Sequence, residues 1–233
     1  MAQLICRNLS VGYDKKAIVS GIDFTVEKGD YLCILGANGS GKSALVKTLL
    51  HLIPHISGSF SVGDGVSLGT IGYLPQQSDI QRDFPASVWE IVTSGFVAKR
   101  GMRLFLSKSQ KQQTSEIMRR LGISELRNRC FCQLSGGQQA RVLLARALCA
   151  AENMLLLDEP AAALDPDAAE VMYSLISELN SKDGITIVMV SHDIPAALKY
   201  ANRILHISDR SFFGSVEEYR AYLLNSHQRG SSF

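Results

Sequence analysis

Residues Gly36-Ala-Asn-Gly-Ser-Gly41-Lys42-Ser43 set the architecture predicted for this chain. Their spacing, a glycine, four residues and then Gly-Lys-Ser, is that of a P-loop. An apolar strand is predicted before them, at Tyr31–Leu35, and an amphipathic helix after Gly41 that Pro54 ends. Glycines allow successive backbone N–H groups to turn toward phosphate oxygens, and the helix N-terminus adds unsatisfied donors. The motif therefore predicts a nucleotide phosphate site.

Each residue of this loop and the first residues of the helix are candidate nucleotide contacts. They are Gly36, Ala37, Asn38, Gly39, Ser40, Gly41, Lys42, Ser43 and Ala44. Lys42 is expected to neutralise the β- and γ-phosphates, which gives it a catalytic role as well. The hydroxyl of Ser43 is expected to bind Mg²⁺. A Gly-rich turn before an ordinary helix is the alternative, and it would need neither the lysine nor the serine.

A pair of carboxylates follows the predicted strand Met154–Leu157. Adjacent acids at the end of a buried strand are costly unless a cation or a reactant uses them. Asp158 is predicted to coordinate Mg²⁺, and Glu159 to be the general base that polarises the attacking water. An acidic loop without a function is the alternative.

Strands and helices alternate through the last hundred residues, which predicts a parallel sheet with helices on its faces. The fold class is therefore α/β, a P-loop NTPase (RecA-like) parallel sheet core with an N-terminal antiparallel β subdomain and a helical subdomain. We predict one domain, 1–233, with the core and β subdomain at about 1–85 and 135–233. The helical subdomain is expected at about 86–134.

Composition and charge limit the classes of function that this chain can have. The 233 residues are 46% apolar and 20% charged, as in globular proteins. A net charge of +2 gives no argument for nucleic acid, and none is expected as a partner. Apolar stretches such as Ile185–Val190 are too short to span a membrane, so another chain would have to cross it. Five cysteines without a secretory leader predict reduced, idle thiols, and Cys130 and Cys132 lack the second pair that zinc needs.

One pentapeptide narrows the class of P-loop protein to a single family. It is Leu134-Ser135-Gly136-Gly137-Gln138, which resembles the signature of the ATP-binding cassette (ABC) family. The serine and the glycine amides stand at a predicted helix start and so form a second anion site. The resemblance covers essentially the whole chain, with the motifs in the family's order. It implies an ATPase with ATP and Mg²⁺ as cofactors.

The resemblance also implies roles for residues that would be weak evidence singly. Tyr13 matches the family's aromatic residue that stacks on adenine. Gln76 matches the catalytic glutamine that touches Mg²⁺, and His192 matches the switch histidine that contacts the γ-phosphate. Gln77 is a rival for Gln76, although the Tyr-x-Pro-Gln pattern favours Gln76. The resemblance then implies these nucleotide contacts beyond the P-loop: Tyr13, Ser135, Gly136, Gly137, Gln138 and Asp165. The implied metal ligands are Ser43, Gln76 and Asp158.

In the family, two subunits pack head to tail and the signature of one closes over the ATP of the other. The resemblance thus implies a homodimer joined by ATP. Two departures from the pattern are Ala161-Ala162, where hydroxyls are common, and Ala140 after the signature. They put in doubt hydrogen bonds beside Glu159, but they touch no residue that the mechanism requires.

The segment Asp79–Gly95 bears on the cargo. Its Phe-Pro-x-x-Val-x-x-x-Val-x-x-Gly spacing resembles the corresponding run in the ATPases of zinc- and manganese-uptake systems. A generic helix start is the alternative explanation of the same residues. A basic stretch follows, which is either a solvated face or lies close to anionic lipid headgroups or acidic partner loops (Lys99, Arg100, Arg103, Lys108, Lys111). An iron-chelate or other small-molecule importer and a soluble cassette ATPase, for example in iron–sulfur assembly, stay open.

The family assignment implies the surroundings of the protein. The expected partners are a polytopic membrane permease and an extracytoplasmic metal-binding protein of the same system. The expected location is the cytoplasmic face of the cell membrane, as a peripheral subunit.

Overall fold

The computed structural model describes residues 1–63, 68–76, 85–97, 105–208 and 210–230. The strands are β1 Ala2–Tyr13, β2 Lys16–Glu27, β3 Tyr31–Gly36, β4 Ser57–Val62, β5 Ile71–Leu74, β6 Met154–Asp158, β7 Thr186–Val190, β8 Arg203–Ile207 and β9 Phe212–Ser215. The α-helices are α1 Lys42–Leu49, α2 Val88–Ser94, α3 Lys108–Arg120, α4 Gly136–Ala150, α5 Pro166–Asp183, α6 Ile194–Tyr200 and α7 Val216–Gly230. Outside the described residues lie Gln77, the part of the Asp79–Gly95 segment up to Phe84, and Lys99, Arg100 and Arg103.

The chain forms two compact units, 1–64 with 188–233 and 65–187. In the first unit, β1 pairs with β2 and with β4, both antiparallel, in the order β2-β1-β4. The inward side chains of these strands, among them Leu9, Val11 and Val26, are fully buried. This is the antiparallel β subdomain that the sequence predicts.

The P-loop strand of the first unit is also as predicted. β3 pairs in parallel with β8, from Leu32 opposite Arg203 to Gly36 opposite Ile207, and β9 continues antiparallel beside β8. Residues 31–35 are all buried, which explains why the strand reads as a continuous apolar run.

The helix after the P-loop ends earlier than predicted. α1 stops at Leu49 rather than at Pro54, and His51 adopts a left-handed conformation at φ 55°. Leu52, which the helical pattern places on the core face, is 62% exposed. The apolar pattern therefore extends beyond the helix, and the turn at His51 directs those side chains away from the core.

In the second unit, β5 and β6 form a parallel pair with Ile71 opposite Met154. All five residues of β6 are buried. α4 packs against β5 so closely that a Cβ at Gly72 would lie 2.3 Å from the Ala147 carbonyl oxygen. Only glycine fits there, so Gly72 sets the distance between the signature helix and the strand that leads to Gln76.

The remaining helices of this unit have strong start signals. Ser87 and Ser107 cap α2 and α3, each in a capping box with the residue three positions on. Asp165 and Pro166 begin α5, and Gly184 ends it at φ 66°. These signals are local in sequence, which is why the helices after them were predictable.

Two elements were not predicted. β9 and the long helix α7 follow β8 and build an aromatic cluster with it, in which Tyr219 is fully buried against His206 and Phe212. Among the helices of the described residues, none combines the length and the apolar character that a membrane span requires.

Candidate nucleotide-binding site

The P-loop turns between β3 and α1 on three glycines with positive φ. The values are 153° at Gly36, 81° at Gly39 and 97° at Gly41. A Cβ at Gly36 would lie 2.6 Å from Ser40 Oγ and 2.7 Å from the Ile207 carbonyl oxygen. Gly41 caps α1 without a side chain, so the first N–H groups of the helix face the loop unobstructed. The backbone is therefore shaped for an anion, as the sequence predicts.

Lys42 places its positive charge inside this loop. Its Nζ donates to the carbonyl oxygens of Gly36 at 2.8 Å and Ala37 at 2.9 Å, and only 5% of the residue is exposed. A largely desolvated ammonium ion held by neutral carbonyls interacts strongly with an approaching phosphate.

Tyr13 lies at the end of the β1–β2 hairpin, and this hairpin touches the P-loop. A Cβ added at Gly41 would lie 3.2 Å from a side-chain carbon of Ile18 and 3.0 Å from one of Val19. The Tyr13 ring is 43% exposed, and Lys47 Nζ lies 3.5 Å from its hydroxyl oxygen. An accessible aromatic ring beside a phosphate loop is suited to stacking on a base.

His192 follows β7 in the same unit. The Ser191 N–H donates to the carbonyl of Ile34, two residues before Gly36, so the histidine leaves its strand at the end of β3 where the P-loop begins. The turn is held because Asp193 N–H donates to Ser191 Oγ and Asp193 caps α6. His192 itself is exposed.

One residue near the P-loop was missed by sequence reasoning. Burial lowers the pKa of His206, and the positive charge of Lys42 lowers it further. Tyr219 Oη lies 3.0 Å from His206 Nδ1. The available signal was a histidine among the apolar residues that follow Arg203 in β8, which indicates an imidazole with a specific partner.

The carboxylate pair and Gln76 belong to the second unit. Asp158 ends β6 and is 3% exposed, and its negative charge adds to burial in raising the pKa of Tyr73 to about 12. Glu159 adopts a left-handed conformation at φ 52°, and Gln76 Nε2 donates to its Oε2 at 3.1 Å. Strained backbone at a non-glycine residue is typical of functional sites. The structure therefore joins two predicted catalytic residues.

Gln76 and Glu159 line a cleft of about 230 Å³. Its other walls are apolar and include Ala140, Ala162 and Ala163. Ala140 and Ala162, which depart from the family pattern, thus make the surroundings of Glu159 less polar. Gln76 supplies the Glu159 carboxylate with a hydrogen-bond donor.

The signature residues begin α4 in the second unit. Gln138 N–H donates to Ser135 Oγ at 3.4 Å, and Ser135 N–H donates to Gln138 Oε1 at 3.1 Å. Ser135 and Gly136 are exposed at the start of a 15-residue helix, where the macrodipole favours an anion. The predicted anion-binding groups are thus presented at the surface.

Asp165 lies close to the signature, because Leu164 and Ala168 on either side of it approach the signature glycines. A Cβ at Gly137 would lie 3.2 Å from Ala168 Cβ, and one at Gly136 would lie 3.7 Å from Leu164 Cδ2. The Asp165 carboxylate accepts from the Ala168 N–H at 2.9 Å and so caps α5. Its position in an exposed loop beside the signature agrees with an interface role, and its capping role was not predicted.

The site residues thus form two groups. Tyr13, residues 36–44 and His192 belong to the first unit; Gln76, Asp158, Glu159, residues 135–138 and Asp165 belong to the second. Within the described ranges, no cluster of three or more His, Cys, Asp or Glu residues could hold a metal ion.

Comparison with known proteins agrees with this arrangement. The family model for ABC transporters matches residues 19–162. A zinc uptake system ATP-binding protein of Listeria innocua is 36% identical over 93% of this chain and 87% of its own. A manganese transport system ATP-binding protein of Bacillus subtilis is 36% identical over 90% of this chain and 85% of its own.

Solved structures give the same result. A metal-chelate type ABC transporter in an inward-facing conformation superimposes with a TM-score of 0.84 and 29% identity, covering 94% of this chain and 85% of that one. An ATP-binding cassette in a dimeric post-hydrolysis state with ADP and phosphate superimposes with a TM-score of 0.74 and 26% sequence identity. The match covers 90% of this chain and 98% of that one. The fold and the site define a P-loop ATPase, and the chain belongs to the ABC transporter family. It is the ATP-binding and ATP-hydrolysing subunit of a transporter, which confirms the predicted class and fold.

Proposed function

We propose that this ATPase drives the import of a divalent metal ion, zinc or manganese. The observation that carries the proposal is its similarity, over nearly the whole chain, to ATP-binding proteins of zinc and manganese uptake. The run that begins at Phe84 resembles the same systems locally.

In this function the first unit binds the nucleotide. The N–H groups between Gly36 and Ala44 and the Lys42 ammonium hold the phosphates, and the Tyr13 ring stacks on the adenine. The half-buried Ser43 hydroxyl is one candidate ligand for Mg²⁺. His192 contacts the γ-phosphate, because it leaves β7 beside the start of the loop.

The second unit supplies further oxygen atoms that fit Mg²⁺. Mg²⁺ prefers hard oxygen ligands, and Asp158 offers a buried carboxylate. Gln76 donates through Nε2 to Glu159, which leaves Oε1 as its acceptor atom. When bound, Mg²⁺ supplies positive charge that offsets the charge developing on the phosphates.

Glu159 acts as the general base. Its carboxylate accepts a proton from the water that attacks the γ-phosphate, and Gln76 holds that carboxylate in one orientation. The apolar walls of the cleft strengthen both interactions, because electrostatic forces increase where water is excluded.

The signature residues act on the nucleotide of a second copy. Ser135 and Gly136 are exposed at a helix start, Gly137 and Gln138 follow them half-buried, and Asp165 lies in the neighbouring loop. An ATP that binds the P-loop of one copy and the signature of the other joins the two copies, so hydrolysis releases them. A cassette solved as a dimer with ADP and phosphate supports the dimerisation of this chain.

The start of α2 is the proposed contact with a membrane permease. Glu90 accepts from the N–H and hydroxyl of Ser87, and these hydrogen bonds lower its pKa. Trp89 is partly exposed and the Arg127 guanidinium lies 3.6 Å from its ring centroid. A rigid helix start with an accessible aromatic residue suits a protein contact. In this proposal the helical subdomain (86–134) contacts the permease at the cytoplasmic face of the membrane, and a metal-binding protein acts on the other side.

The experiment is metal uptake in cells whose own copy of the gene is deleted. The wild-type chain should restore accumulation of zinc or manganese, measured by mass spectrometry, and Glu159→Gln should not. Restored uptake of an iron chelate but not of zinc or manganese would favour the second candidate, which the metal-chelate transporter supports. A protein that purifies in a complex without any membrane subunit would contradict transport.

A further inference from the structure

Two cysteines are brought together outside the nucleotide site. Cys130 and Cys132 flank Phe131 at a short 3₁₀ turn, Phe131–Gln133. Their sulfur atoms are 2.6 Å apart, against about 2.05 Å in a formed disulfide. From the sequence these thiols are expected to be idle, and a spacing of one intervening residue does not predict that their sulfur atoms meet.

The other three cysteines differ in their surroundings. Cys6, Cys33 and Cys149 are at most 2% exposed. Burial raises the pKa of Cys6 to about 12, with a contribution from the charge of Asp23, and burial also raises the pKa of Cys33. Because the thiolate is the reactive form, these thiols are protected, whereas Cys132 is exposed and Cys130 is half-buried.

The turn that carries the pair is connected to two functional elements. On one side, Phe131 N–H donates to the Ala86 carbonyl at 2.9 Å, and Cys130 forms an isolated antiparallel bridge with Ser87, the cap of α2. On the other side, Gln139 Nε2 of the signature helix donates to the Phe131 carbonyl at 3.1 Å. A change in this turn therefore reaches both the start of α2 and the residues after Ser135.

We propose that Cys130 and Cys132 form a reversible intrachain disulfide that lowers ATP hydrolysis. The oxidant is a peroxide. The thiolate of the more exposed Cys132 attacks one peroxide oxygen, the O–O bond breaks, and a sulfenic acid and one water form. The Cys130 sulfur then attacks the sulfenic sulfur and displaces a second water.

In total, two thiols and one hydrogen peroxide give one disulfide and two waters, and two electrons pass from sulfur to oxygen. A dithiol reverses the step by two exchanges and becomes a disulfide itself. The new ring constrains the backbone from 130 to 132, three residues before Ser135. The proposal concerns the ATPase of the chain and is independent of the transported ion.

The first test is chemical and uses the purified full-length chain. Trypsin cleaves after Arg129 and Arg141, so both cysteines fall in one peptide, 130–141, that contains no other cysteine. After hydrogen peroxide, this peptide should lose two hydrogens in mass and regain them with dithiothreitol. Oxygen addition without hydrogen loss, or a covalent dimer on a non-reducing gel, would overturn the intrachain disulfide.

The second test is functional. Peroxide should reduce the ATPase rate of the wild-type chain by roughly 5-fold or more, the scale of coupling between packed elements, and dithiothreitol should restore it. Cys132→Ser and Cys130→Ser should both resist peroxide, and having two variants guards against a folding defect in one. An equal peroxide loss in wild type and in either folded variant would overturn the regulatory role.

Discussion

The side-chain amide of Gln76 donates a 3.1 Å hydrogen bond to the carboxylate of Glu159, 83 residues later in the chain. This bond joins Gln76 to Glu159, the predicted general base, which directly follows β6. The bond gives the Glu159 carboxylate a hydrogen-bond donor in a cleft whose other walls are apolar.

Replacing Glu159 by Gln should abolish turnover but spare nucleotide binding. We expect the ATPase rate to fall roughly 10²-fold or more, the scale for loss of a positioned catalytic group. At saturating MgATP the variant should be dimeric, because ATP joins the copies and is not hydrolysed. Steady-state phosphate release and light scattering measure the two effects.

Gln76→Ala should show a smaller loss of turnover, and Gln112→Ala, an exposed glutamine on α3, should show none. If Glu159→Gln stayed monomeric at saturating MgATP, the shared nucleotide site would be refuted.

Replacing Lys42 by Ala should weaken nucleotide binding itself. The loss of a charged hydrogen-bond donor predicts an affinity reduction of about 10- to 100-fold, equivalent to roughly 1.5–3 kcal/mol. Titration with a fluorescent ATP analogue provides the measurement. Lys182→Ala, which removes only an exposed ion pair with Glu178, is the control and should bind normally. An unchanged affinity in Lys42→Ala would remove the P-loop assignment.

Two serines allow the capping role of Ser135 to be separated from its proposed contact with ATP. Ser135 and Ser107 both cap a helix in a capping box. Replacement of either by Ala should cost about 1 kcal/mol of unfolding free energy, measured by urea denaturation. Only Ser135→Ala should also reduce the ATPase rate, by about tenfold or more, because it alone loses a hydrogen bond to a phosphate. Equal ATPase rates in the two variants would argue against the signature site.

The stability of the protein should depend on pH through His206. Its pKa is lowered on folding, so the unfolded state binds more protons as pH falls below about 6.5, and stability is lost on the acid side. Thermal unfolding measured from pH 8 downward should show this loss as a fall of the midpoint temperature.

His206→Asn should remove this part of the pH dependence, because asparagine does not titrate. His55→Asn, at an exposed histidine, should retain it. The same acid slope in His206→Asn as in the wild type would show that other groups carry the effect.

Features that depend on neighbouring residues were predictable from the sequence. The P-loop between β3 and α1, the start of α4 at Ser135 and the buried strand β6 all follow from local patterns of glycines, caps and apolar residues. The chemistry of these residues also depends on their own types, so the candidate site could be assembled before the fold was known.

Contacts between distant residues needed the tertiary structure. α1 ends at Leu49 although the apolar pattern continues, and β9 with α7 gains its stability from packing on β8 rather than from a local signal. The bond from Gln76 to Glu159 and the charge of Lys42 near His206 join residues far apart in sequence. Even Cys130 and Cys132, two positions apart, meet only because the turn between them is anchored to Ala86 and Gln139. Spacing alone gives no distance between side chains, since packing sets the backbone that carries them.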